Sequence, residues 1–95
     1  MGEIKELLKE VVIYNASKVV DNPDDVEVDV SISTKAIIIQ IKVNADDCGK
    51  IIGKHGRSID ALKILCLAIK NTNFPDDSRR ILLEVLEDEN SSFKY

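Results

Sequence analysis

Between Val26 and Ser33 the chain changes its hydrophobic period. Val26, Val28, Val30 and Ile32 alternate with Glu27, Asp29, Ser31 and Ser33, the spacing of a strand with one buried and one wet face. The acidic outer positions also discourage an exposed edge from pairing with other chains. Upstream the spacing is helical: from Glu3 to about Val20, Ile4, Leu7, Leu8, Val11, Val12 and Val19 gather near one side of a wheel, with Lys5, Glu6, Lys9, Glu10 and Lys18 mostly elsewhere. Asp21-Asn22-Pro23-Asp24-Asp25 separates the two, because proline disfavours helical geometry in the residue before it and Asn and Asp bond to nearby backbone. A chain that switches period in this way must pack a helix layer on a sheet.

The remaining elements follow from the same reasoning. After a turn near Thr34-Lys35, Ala36 to Val43 is continuously apolar and β-branched, as suits an interior strand in an antiparallel hairpin with the first. Asn44 can cap a short helix from about Ala45 to Ile52, with Asp46 and Asp47 in its first turn where the dipole favours negative charge. Gly53-Lys54-His55-Gly56 breaks it, and a second helix runs from Arg57 to about Lys70, with Ile59, Leu62, Leu65, Cys66 and Ile69 directed at the sheet. Asn71 to Ser78 is a loop, and Arg79 to Glu87 a last strand with Ile81, Leu83 and Val85 on one side. The expected fold class is α+β in the order α-β-β-α-α-β, a three-stranded sheet covered on one face by three helices. One domain spans residues 1–88, its core about 26–87 preceded by the N-terminal helix, and the polar tail 89–95 is expected to fray.

Size and composition bound the function. Ninety-five residues make one domain with little material for an enclosed cleft, and 44% hydrophobic against 32% charged residues is the balance of a folded chain. Charged residues interrupt every apolar run near Met1 and no stretch approaches a membrane span, so the expected location is the cytoplasm, with no membrane partner. Cys48 and Cys66 lack the spacing of a metal knuckle and, with His55, fall short of a zinc ligand set; free buried thiols are expected, and neither metal nor cofactor.

The net charge of −4 argues at first against a nucleic-acid partner. Its distribution argues the other way: residues 50–70 hold Lys50, Lys54, Arg57, Lys63 and Lys70 against Asp60 alone, so five positive charges less one leave +4 there and −8 elsewhere. The segment Lys50-Ile51-Ile52-Gly53-Lys54-His55-Gly56-Arg57 joins that charge to a tight turn. Two helices meeting there present backbone N–H groups at the positive dipole end of the second, glycines permit close approach of a sugar-phosphate chain, and Lys54, His55 and Arg57 add donors. Ile51 or Ile52 are candidate floor residues for bases. The turn is not a nucleotide-triphosphate loop, which needs four residues between its glycines followed by Lys and Ser or Thr. Aromatics are confined to Tyr14, Phe74, Phe93 and Tyr95, outside the motif, which excludes a stacking platform.

The apolar pair, the Gly-x-x-Gly turn, the basic residue after it and the Ile-bearing helix closely resemble the KH family. The element order resembles its type II arrangement, and Asp21 to Val28 resembles the small bacterial single-KH proteins regarded as RNA chaperones. The resemblance implies an RNA-binding protein, an RNA chaperone acting in post-transcriptional regulation, that clamps about four nucleotides of single-stranded RNA. Lys50, Ile51, Ile52, Gly53, Lys54, His55, Gly56 and Arg57 would bind the RNA. A homodimer would offset the weak affinity of one module by joining two grooves, and the resemblance implies a heterodimer with a larger KH-containing RNA-binding protein. The alternative is a KH-fold protein–protein interaction module in a larger RNA-binding or ribosome-associated complex, using the second apolar stripe Ala61, Ile64 and Ala68 with Leu67 nearby. An enzyme is not expected: His55 has no positioned partner, and the acid pairs Asp24-Asp25, Asp46-Asp47 and Asp76-Asp77 sit where capping and solvation explain them.

Overall fold

The computed structural model describes residues 2–88 and 91–94, with side chains for residues 3–86. Helix α1 (Gly2–Val19) leads through a 3-10 turn at Pro23–Asp25 to β1 (Glu27–Ile32) and β2 (Ala36–Lys42). A second 3-10 turn, Ala45–Asp47, opens α2 (Cys48–Ile52); α3 (Arg57–Asn73) and β3 (Arg80–Asp88) follow. The order is the expected α-β-β-α-α-β, with α3 running one turn beyond the expected Lys70.

The sheet is mixed. Strands β1 and β2 pair antiparallel with Val30 opposite Ile39, and β2 pairs parallel with β3 with Ile39 opposite Leu83. Parallel neighbours need a long crossover, and here α2, the Gly53–Gly56 turn and α3 supply it. The turn therefore lies within a connection anchored by a strand at each end. One correction concerns the tail: Ser91–Lys94, inside the stretch expected to fray, forms a fourth strand β4 antiparallel to β3, in sheet order β1-β2-β3-β4.

Alternation explains the core. Val28 and Val30 of β1, Ile37, Ile39 and Ile41 of β2, and Ile81, Leu83 and Val85 of β3 all point to one face and are buried. Ile4, Leu8, Val12 and Ala16 of α1 and Ile59 and Cys66 of α3 cover them. Burying one such aliphatic side chain stabilises by about 1.5–3 kcal/mol. The opposite face is partly polar: Gln40 and Glu84, opposite each other on β2 and β3, join through the Gln40 amide at 2.9 Å, and Glu27 and Asp29 are exposed.

Two wheel assignments need correction. Val19 is 47% exposed while Ala16, not assigned to the core, is buried, and Leu65 is 41% exposed. Residues 16 and 65 sit at the margins of their apolar arcs, where the neighbouring element decides burial. Cys48 and Cys66 are buried, as expected, and neither is in a disulfide among the described residues; no helix among the described residues is long and apolar enough to cross a membrane.

Candidate nucleic-acid interface

Asn44 caps the start as its chemistry suggests, its side chain accepting from the Asp46 N–H at 2.9 Å. Asp47 behaves unlike a solvated first-turn acid. It is fully buried, and its carboxylate accepts from the backbone N–H of Asp21 (3.1 Å) and of Asn22 (3.0 Å) and from the Asn22 side-chain amide (3.0 Å). Burial alone would raise this carboxyl; the Asn22 amide, the two backbone donors and the nearby Lys50 outweigh it and hold the group below its ordinary 3.8. The loop after α1 is thus tied to the start of α2.

Helix α2 ends abruptly. Gly53 donates to the Gly49 carbonyl at 2.8 Å, then adopts φ 77°, ψ 170°, a region essentially reserved for glycine. A side chain there would also collide with Ser58: an ideal Cβ would lie 2.7 Å from the Ser58 Cβ and 2.8 Å from its backbone nitrogen. His55 (φ 58°, ψ 26°) and Gly56 (φ 73°, ψ 15°) are left-handed, so three of the four turn residues have positive φ. For His55 that conformation costs about 1–2 kcal/mol, which the surrounding turn must offset. Gly56 N–H closes onto the Gly53 carbonyl at 3.1 Å and Arg57 N–H onto that of Lys54. This narrows the expectation of backbone donors offered to a ligand, since Gly56 and Arg57 donate within the turn.

The expected site residues divide into groups. Lys54, His55 and Arg57 are exposed around the turn, and neither Lys54 nor Arg57 makes an ion pair among the described residues. Lys50 is exposed but bridged to Asp21, whose carboxylate raises the ammonium above its ordinary 10.5. Ile51 is a core residue, 3% exposed, and Ile52 is half-buried against the core. Gly53 and Gly56 build the turn itself.

Sequence counting overstated the basic patch. Lys70 is buried, its ammonium donating to the Asp77 carbonyl and closing the loop after α3. Lys50 is shared with Asp21, which leaves Lys54, Arg57 and Lys63 of the five. Three contributors were missed: Asp21 and Asp47, read as turn and capping residues, and Ser58, whose position under Gly53 restricts that residue. A buried partner 25 residues away leaves no periodic signal.

The KhpA/KhpB KH-domain profile matches residues 9–82. The chain is also similar to proteins named RNA-binding protein KhpA. That of Aquifex aeolicus is 36% identical over 80 residues, covering 84% of this chain and 96% of the relative. That of Chlamydia pneumoniae is 35% identical over 81 residues, covering 85% and 99%, and that of Clostridium perfringens 33% over 81 residues, covering 83% and 100%. These names describe binding rather than catalysis. No solved structure gave a match. On the match to most of its length and these near-full-length relatives, the chain belongs to the KhpA/KhpB KH-domain family.

Proposed function

We propose that this protein binds short single-stranded RNA in the cytoplasm, holding its backbone at the Gly53–Gly56 turn, and acts as an RNA chaperone in post-transcriptional control. The observation that carries the reading is the turn's construction: three consecutive exposed or half-exposed residues, Lys54, His55 and Gly56, precede exposed Arg57 at the start of a 17-residue helix. The positive end of that helix and the two unpaired cations face the same solvent, a setting that attracts phosphate. The names of the relatives support the same reading.

In this reading Lys54, His55 and Arg57 contact phosphate and sugar, Gly53 and Gly56 permit close approach, and Lys50 contributes a charge softened by Asp21. Ile52 offers an apolar contact for a base; Ile51 acts from below by fixing α2. The type II arrangement carried over by resemblance fits this order of elements. The test is a fluorescence-anisotropy titration of short single-stranded RNA pools with wild type and with Lys54→Asp plus His55→Asp, at several salt concentrations. Circular dichroism checks that both fold. Salt-sensitive binding lost in the folded variant supports the clamp; equal binding by the variant counts against it.

A second reading rests on one observation. Val19, Ile64 and Leu65 are 47%, 59% and 41% exposed, apolar surface on α1 and α3. It supports pairing with a second copy or with a larger KH-containing RNA-binding protein, which would join two weak sites into a stronger one. Sedimentation of the protein alone and with a candidate partner tests this; a strict monomer in both runs removes it.

A further inference from the structure

A second opening lies away from the turn, between the C-terminal half of α3 and the start of β3. It has a volume of about 400 Å³, and its lining includes Lys63, Lys70, Arg79 and Arg80 against one acidic residue, Asp77. Asp77 is committed: its carboxylate accepts from the Arg79 backbone N–H at 3.0 Å and Nε at 2.9 Å and is bonded to Nη2. One carboxylate thus neutralises one guanidinium, and Lys70 donates to the Asp77 carbonyl. Lys63 and the exposed Arg80 make no ion pair among the described residues. Leu67, Ile81 and Leu82 give the opening an apolar wall, and Ser78 adds a hydroxyl.

In a chain of net charge −4 these two cations stand together at one opening, where they make a locally positive spot on an acidic body. Apolar wall, hydroxyl and cations together match one nucleotide: a base against Leu67 and Leu82, its phosphate on Lys63 and Arg80. We propose that this opening is a second nucleotide-binding site, occupied by the same RNA strand held at the turn. The inference rests on the proposed RNA binding and extends its footprint. Helix α3 joins the two places. Lys63 lies six residues beyond Arg57 and Lys70 thirteen, about 9 and 20 Å of helical rise. At about 3.4 Å per stacked nucleotide, roughly three to six more nucleotides cover that separation.

The test compares random single-stranded RNA pools of about four and about ten nucleotides, using the full chain and Lys63→Gln plus Arg80→Gln. Longer RNA offers more registers to either protein, so the variant comparison decides. The second site requires that the variant bind the short pool like wild type. Its ten-nucleotide salt slope, log K against log salt, should fall by about 1.4, two contacts at about 0.7 each, with a loss of affinity. If the double variant melts lower, Arg80→Gln alone, whose side chain is exposed, should give half the slope change. An unchanged slope and affinity for the long pool overturns the second site and leaves the turn reading intact, and an equal loss for both pools overturns it too. Failure of wild type to bind either pool overturns both readings.

Discussion

The Asp47 carboxylate accepts from both the backbone N–H and the side-chain amide of Asn22, each at 3.0 Å, and so binds the loop after α1 to the start of α2. Asp77, accepting from Arg79, pins the loop after α3 in a similar way and is held down to about 2. Both carboxyls lie below their ordinary 3.8 in the folded protein, so the stability they contribute is fully present above that pH and is lost as pH falls through the folded values. Thermal melts from neutral pH down to about 2 should therefore show Tm falling below about pH 4. Asp47→Asn should lower Tm at neutral pH by roughly 5 °C or more and flatten the acid limb. A variant that melts like wild type at both ends would show that the latch adds no stability.

Gly53→Ala should damage the turn twice, through backbone strain at φ 77°, ψ 170° and through contact with Ser58. The expected cost is about 1–3 kcal/mol by chemical denaturation, with loss of RNA affinity. Ser58→Ala should not rescue it, because the Ser58 backbone nitrogen also lies 2.8 Å from the added Cβ. Gly56→Asn should be milder, since Asn tolerates the left-handed region.

Lys50 and Lys54 should differ although both flank the turn. Lys54→Gln should reduce the salt slope of RNA binding by about 0.7, one phosphate contact, and Lys50→Gln by less. Asp21 already partly neutralises Lys50, so Asp21→Asn should release the ammonium and steepen the slope. Equal slopes for the two lysine variants would show that the Asp21 bridge does not limit Lys50.

The buried thiols should be inert. Burial pushes the Cys66 thiol up to about 11, and neither Cys48 nor Cys66 is exposed. A chromogenic thiol reagent at neutral pH should label the native protein only at its unfolding or opening rate, and both cysteines at once in denaturant. Fast labelling of the native protein would mean that the helix layer opens readily.

Strands were more legible than the site because their signal is local. A period of two in Val26 to Ile32 and the apolar run from Ala36 leave little choice of face, and the observed register follows. Helical arcs were legible only at their centres: Leu8, Val12, Ile59 and Cys66 lie deep, while Ala16 and Val19 exchange places because burial there depends on how α1 passes its neighbours. The glycine positions and exposed Lys54 and Arg57 were readable from residue chemistry. Lys70 was not, since lysine belongs outside by composition and is buried here because its long stem carries the ammonium to a loop carbonyl. Ser91–Lys94 carries too few apolar residues to announce a strand, and pairs because β3 offers it an edge.

The parallel pairing of β2 and β3 sets an order of events during synthesis. Gln40 meets Glu84, 44 residues later, so the β1–β2 hairpin leaves the ribosome with one ladder edge open and must wait for the crossover and β3 to follow. The Gly53–Gly56 turn must form within that interval. A substitution that slows formation of the turn would prolong exposure of Ile37, Ile39 and Ile41, and would lower yield through aggregation of nascent chains even where the finished protein is stable.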